Sequence, residues 1–233
     1  MSTHRLESSD RAPYLLIGPG VEIPDGVYLG AHVVLHEGTR LGRDCHIEHG
    51  AVIGRASKVN AGSSSPPAKV ALTIIGPGTI IGCYSVVCAG AVTGENAFIG
   101  DHSLVRERAR IGAGASLGHA GTVGRDAVIG NATRLQGYCA LATGIVIEEN
   151  CLIGPHVVVL AGTLMRPNDD RSPGPAIIRR GSRIGSAAQI MSGVEIGAGA
   201  IVGAAAVVTR DVPAGSLVRG SPARVVGPNP RTS

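Results

Sequence analysis

The stretch Ile111-Gly112-Ala113-Gly114-Ala115-Ser116-Leu117-Gly118-His119-Ala120-Gly121-Thr122-Val123 decides the fold. A large aliphatic residue stands at 111, 117 and 123, a small one at 115 and 121, and glycine follows each of the first two aliphatics. A period of six belongs neither to a helix, with about 3.6 residues per turn, nor to a flat strand, with about 2. Outward from this stretch the beat runs unbroken from Ile75 to Val159, and it recurs from Ile17 to Ile53 and from Ile178 to Val208. Of its 28 aliphatic positions all but Thr93 are Leu, Ile or Val, and 16 are followed by Gly. Four residues after each aliphatic position stands Val, Thr, Cys, Ala, Ser or Gly, with Ile145 as the exception. Two constraints locked to one period cannot arise by chance, so repeat architecture is read before anything else.

A coil of three short strands, with a corner after each, meets both constraints. The aliphatic side chain fills the interior, and the small one also points inward, where little room is left. Glycine beside the aliphatic residue is read as serving tight backbone geometry near the corner. Three hexads make one coil, and coils stack as parallel sheets about 4.8 Å apart. The expectation is an all-β parallel β-helix of about nine coils, roughly 45 Å long, in which each coil is buried only by its neighbours. An N-terminal extension is expected over residues 1–13, the helix over 14–212, and a C-terminal tail over 213–233. The beat breaks at 54–74 and 160–177, where Pro and Ser density predicts two loops extruded from corners. The second is dense in polar groups and is the better candidate for function.

Composition agrees. The 233 residues include 35 Gly but only four Tyr, one Phe and no Trp, so β-branched aliphatics rather than rings must supply the core. Cys45, Cys83, Cys88, Cys139 and Cys151 form no CxxC pair, and Cys45, Cys139 and Cys151 fall on small interior positions. Reduced thiols in a cytoplasmic protein are expected. Met1 to Arg11 is polar, unlike a signal peptide, and no run of about 18 apolar residues predicts a membrane span. The formal charge is +4, with nine Arg against four acidic residues from position 160 onward. That excess suits a ligand with several phosphates. Nucleic acid is not expected, because no basic cluster is interleaved with aromatics.

These repeats resemble the hexapeptide-repeat transferase superfamily over residues 14 to 227. The resemblance implies a left-handed β-helix, contrary to the usual rule for parallel crossovers. It also implies a homotrimer with sites at subunit boundaries and acetyl-CoA as acyl donor, with no metal. The ending, Thr209-Arg210-Asp211-Val212-Pro213 and Gly220-Ser221-Pro222-Ala223-Arg224-Val225-Val226, looks like that of the sugar-modifying acetyltransferases. The segment Ile147-Glu148-Glu149-Asn150-Cys151-Leu152-Ile153-Gly154-Pro155-His156 is similar to N-acetyltransferases acting on nucleotide-linked sugars. Acetyl transfer to an amino group of such a sugar is the activity this implies. The residues themselves leave N- or O-acylation, the acyl group and the sugar open.

Residues 18 apart should stack at the corners. One column reads Tyr84, His102, Ala120, Tyr138, His156, with His119 beside Ala120. Rings displayed in so ring-poor a chain call for a base, a sugar or a neighbouring subunit. The other two columns look like ordinary solvated corners. Acyl transfer to an amine or hydroxyl needs a proton acceptor, an oxyanion donor and alignment. His156, just before the second loop, is the first candidate base. Glu149 is the second, and Asp169 would orient the base. Tyr84, His102, His119, Asn131, Tyr138, Asn168 and Asp170 are expected to bind the acceptor. The resemblance places the coenzyme along the C-terminal coils, where Gly193 and Ala205 allow close approach and Arg180, Arg210 and Arg219 are candidates for its phosphates.

Three other readings share the prism. A γ-class carbonic anhydrase would need three His around zinc, but His32, His36, His46 and His49 have a different spacing from that family. An acyl-carrier-protein-dependent sugar acyltransferase resembles His32-Val33-Val34-Leu35 to Ile53-Gly54, without its catalytic His motif. A non-catalytic scaffold is the third, and acetyl-CoA binding would separate it from a transferase.

Overall fold

The computed structural model describes residues 6–56, 71–160 and 174–230. Every regular element among them is a strand, most of them two residues long, and the strands build three sheets. The chain visits the sheets in turn. Ser116–Leu117 lies on face B, Thr122–Val123 on face A, Val128–Ile129 on face C, and Arg134–Leu135 on face B again, one coil later. Pairing is parallel with a register of 18 residues, as in Phe98 with Ser116, Leu104 with Thr122 and Arg110 with Val128. The architecture is a left-handed parallel β-helix of about ten turns.

One turn more than the beat predicts comes from the C-terminus. Leu217–Val218 pairs parallel with Ile201–Val202, so the last coil closes inside the segment read as tail. Arg224–Pro228 then folds back antiparallel on Ser216–Arg219. At the other end Glu7–Ser9, in the expected extension, pairs antiparallel with Leu15–Ile17.

The interior follows the beat. Ile81, Ile99, Leu117, Leu135 and Ile153 stack on face B and are essentially inaccessible. Each such side chain contributes about 1.5–3 kcal/mol by leaving water. The small inward residues have a second duty, because their hydroxyls and thiols donate to carbonyls of the next coil. Ser85 donates to Gly100 O at 2.7 Å, Thr133 to Glu148 O at 2.7 Å and Ser182 to Gly197 O at 2.9 Å. Cys45, Cys139 and Cys151 fill the same role toward Gly76, Gly154 and Arg179, each at 3.2 Å. All three thiols are buried, and burial pushes Cys139 and Cys151 up to about 11.

Glycine after the aliphatic residue, Gly54 at φ 79° excepted, serves close approach rather than unusual torsion. A Cβ at Gly112 would lie 2.6 Å from the Asn131 nitrogen, and one at Gly154 would lie 2.7 Å from the Ser186 nitrogen. The next coil passes directly over these atoms. Positive φ belongs instead to the second corner residue, three after the aliphatic, and fifteen described non-glycine residues adopt it.

Both breaks in the beat leave from the corner joining faces A and C, after Arg55 and after Leu160. Residues 57–70 and 161–173 fall outside the described part. So do Asn168, Asp169 and Asp170, and with them the orienting and acceptor-binding roles expected of those three.

Candidate functional site

The corner joining faces B and A forms one continuous ridge. Its left-handed residues are Tyr14, His32, Gly50, Tyr84, His102, Ala120, Tyr138, His156, Ala187 and Ala205. From His32 onward each donates its backbone N–H to the preceding coil, as His102 N does to Cys83 O at 2.8 Å and His156 N to Gly137 O at 3.1 Å. Tyrosine is a poor choice for φ of 55–60°, where a bulky side chain costs about a kilocalorie or more, yet Tyr14, Tyr84 and Tyr138 all stand there. They are 74, 61 and 51% exposed, so much of each ring faces solvent.

The rings stack in pairs. Tyr14 lies on His32 (centroids 4.6 Å apart, planes at 6°), Tyr84 on His102 (5.4 Å, 10°) and Tyr138 on His156 (4.9 Å, 0°). The third pair has an extra member, because His119 meets Tyr138 edge-on at 4.8 Å and 82°. Gly137 makes that possible, since a Cβ there would sit 2.7 Å from the His119 ring. The structure thus brings Tyr84, His102, His119, Tyr138 and His156 to one edge. The sequence reading stopped at Tyr84. Tyr14 and His32 continue the ridge, and an insertion of unknown length between Gly50 and Tyr84 hid them.

Beside the third pair, on the B flank, lies a hollow of about 400 Å³. Gly154, Pro155, Gly185 and Ser186 form its ridge side, Leu152, Ile184 and Ile201 its floor, and Arg183 stands at its wall. No carboxylate lines it. A larger hollow of about 600 Å³ lies at the C–B corner, but Glu195 and Asp211 line it along with Arg179. That guanidinium is already engaged by Glu195 at 2.8 Å and Glu148 at 2.9 Å. These bonds raise the Arg179 pKa. The Arg180 backbone N–H first, and then Arg179, hold Glu148 below the usual carboxylate range.

Other expected residues are not gathered. Glu149 and Asn131 stand at the C–B corner, with all of face B between them and His156. Glu149 lies 3.6 Å from Arg180, and Asn131 Oδ1 accepts the Ala113 backbone N–H at 2.9 Å, a bond between coils. Within one chain, therefore, Glu149 and His156 cannot share a substrate atom. The second loop does not begin at the His156 corner either, because strand Val158–Val159 separates the two. Of the expected coenzyme contacts, Ala205 is on the ridge, Gly193 and Arg210 are at the A–C corner, Arg180 is at the C–B corner, and Arg219 ends a B strand. A single chain presents them on different sides.

The A–C corner is not merely solvated, as expected from its small and charged residues. Glu107 is 1% exposed, with Arg106 Nε at 3.2 Å and Arg125 Nε at 3.5 Å. Burial pushes its pKa up, but its own backbone N–H and the two guanidiniums outweigh that and hold the carboxyl below the usual range. Among the described residues, no three His, Cys, Asp or Glu side chains come together as a metal site. Nor is any helix long and apolar enough to cross a membrane.

Family profiles match on this beat. Residues 126–161 and 175–210 match the bacterial transferase hexapeptide (six repeats), and residues 20–55 match the hexapeptide repeat of succinyl-transferase. These three matched stretches of hexapeptide-transferase repeat together span 108 of the 233 residues. Serine acetyltransferase 1, chloroplastic, of Arabidopsis thaliana is 44% identical over 96 residues, which is 39% of this chain and 30% of that protein. The chain thus spans less than a third of the length of the curated relatives it matches. A hexapeptide-repeat acetyltransferase from Vibrio cholerae O1, solved with acetyl-CoA, is 30% identical, with 50% of this chain and 71% of that chain covered and a TM-score of 0.41. The UDP-N-acetylglucosamine O-acyltransferase of Moraxella catarrhalis is 19% identical, covering 95% of this chain and 76% of that chain, with a TM-score of 0.47.

Proposed function

We propose that this protein is a hexapeptide-repeat acyltransferase that transfers an acetyl group from acetyl-CoA to an amino group of a nucleotide-linked sugar, working as a homotrimer. The observation that carries the reading is the His119–Tyr138–His156 cluster beside a hollow with one arginine and no carboxylate. The amine nitrogen attacks the thioester carbonyl, the C–S bond breaks, and the proton leaving nitrogen passes to a ridge imidazole and then to the departing thiolate. Imidazole titrates near neutrality and suits this task. The acceptor class rests on the Ile147 to His156 segment and on the C-terminal ending. Trimerisation would bring an edge of one chain to a face of the next, which is how a site could draw on residues that one chain holds apart.

A second reading takes a serine hydroxyl as acceptor, favoured by the 44% identity with the Arabidopsis serine acetyltransferase. Thiol release from acetyl-CoA, measured with an amino-sugar nucleotide or with serine, separates the two. His156→Ala should lower turnover at least tenfold, about 1.4 kcal/mol, with the trimer intact. Wild-type turnover in that variant would remove His156 from the reaction.

A further inference from the structure

The ridge has a period of its own above the hexad. Reading its second corner residue coil by coil gives Tyr, His, small, three times over: Tyr14, His32, Gly50, then Tyr84, His102, Ala120, then Tyr138, His156, Ala187. The next place calls for a fourth tyrosine, and Ala205 stands there. His156 is therefore the last rung. One face of its imidazole is covered by Tyr138, with the planes parallel. Beyond its other face come Ala187 and Ala205, flanked by Ser186 and Ala204, about 10 Å of edge carrying no ring. The 400 Å³ hollow opens at the same level, through Pro155 and Ser186, and its one charged lining residue is Arg183.

We propose that this open end of the ladder seats the planar base of a nucleoside diphosphate, stacked on His156 over Ala187 in the place a fourth tyrosine would fill, with the phosphates toward Arg183. The chemistry on the page is a flat apolar face next to a cation without carboxylates, which matches a heteroaromatic ring joined to an anion. The proposal rests on the acyl-transfer reading only in that both reactants there carry a nucleoside diphosphate, coenzyme A on the donor side and the sugar nucleotide on the acceptor side. It gives His156 a binding duty and leaves His119 as the imidazole free to move a proton.

Calorimetric titration of the full chain with UDP and, separately, with coenzyme A tests it. At least one should bind. His156→Ala should weaken that ligand about tenfold, as loss of a base-stacking ring does, while His156→Phe, flat but unable to take a proton, should stay within about threefold of wild type. Ala205→Tyr, which completes the ladder at a corner of the type that already accepts Tyr138, should also weaken it about tenfold. An effect on coenzyme A alone assigns the base to the donor, and an effect on UDP alone assigns it to the acceptor. Failure of both ligands to bind overturns the proposal. So does a His156→Phe variant as weak as His156→Ala, or unchanged binding in Ala205→Tyr. Turnover is scored separately. Base stacking without acyl transfer would refute the proposed reaction and keep this site, and turnover with normal binding in all three variants would do the reverse.

Discussion

The B–A and A–C corners use the same turn and finish it differently. Along the first, the left-handed residue is tyrosine, histidine, alanine or glycine, and apart from histidines Asp101 is the one acidic or basic residue at its two-residue turns from Pro13-Tyr14 to Ala204-Ala205. That carboxylate accepts the Cys83 N–H at 2.7 Å, a bond between coils. Along the second stand Gly38, Gly90, Arg108, Asp126, Gly144 and Gly193. There Arg108 grips Asp126 of the next coil through two bonds of 2.7 Å, and Glu107 is enclosed by Arg106 and Arg125. The comparison shows that stacking coils at a corner requires backbone bonds and, at most, a paired charge. Stacked rings are surplus to that requirement, and three strained tyrosines are a poor way to meet it. The fourth tyrosine, Tyr28, stacks on His46 along face B without a left-handed torsion, so rings held at a strained corner occur on this corner alone, and that is the argument that it meets a ligand or a partner.

Breaking the two corners should therefore give opposite results. Glu107→Gln leaves two guanidiniums facing a neutral, buried amide and is expected to cost about 3 kcal/mol, read from the urea midpoint. Because the Glu107 carboxyl titrates below its ordinary range, its stabilisation is complete above the unfolded-state value and is lost as pH falls through the lowered one. The variant should thus have a flatter acid limb than wild type. Tyr84→Ala should cost no more than about 1 kcal/mol, the worth of one exposed ring stack. Equal losses at the two corners would end the distinction drawn between them.

Much of this was legible in the sequence, for a physical reason. An inward aliphatic residue depends only on its place in the hexad, so the three-faced interior follows from counting. The ridge from Tyr84 to His156 follows as well, because equal coils put residues 18 apart in register. What escaped depends on neighbours along the stack. Glu107 reads as a solvated corner until Arg106 and Arg125 are seen to close over it. Asn131 reads as a free amide until the Ala113 N–H beneath it is found. Tyr14 and His32 were lost to an inserted segment, whose length the period cannot supply.

A pair of glycines sharpens the comparison inside the ridge itself. A Cβ at Gly118 would stand 2.5 Å from the Gly137 nitrogen, a backbone atom that cannot move aside, whereas the atoms nearest a Cβ at Gly137 belong to the His119 ring, a side chain. Gly118→Ala should cost about 1–3 kcal/mol through overpacking. Gly137→Ala should leave stability within about 0.5 kcal/mol and displace the imidazole. If His119 moves a proton, turnover falls at least tenfold while the melting temperature holds. A destabilised Gly137→Ala with unchanged turnover would make His119 ordinary packing.

The smallest effect lies behind the corners, where Cys139 donates to Gly154 at the ridge and Cys151 to Arg179 at the C–B corner. Both thiols are pushed up to about 11, chiefly by burial, and Glu148 and Glu149 add to the shift only at Cys151. A thiol harder to ionise when folded stabilises the protein fully below its ordinary value of 9.0, and the gain fades as pH rises through about 11. Wild type should lose stability over that window. Cys139→Ser and Cys151→Ser keep a donor of the kind that Ser85 and Ser182 already supply, so each should reduce the loss while changing stability at pH 7 by no more than about 1 kcal/mol. Urea midpoints at pH 7, 9 and 11 give the comparison directly. A serine variant that loses as much stability between pH 9 and 11 as wild type would show that its thiol is not what titrates there.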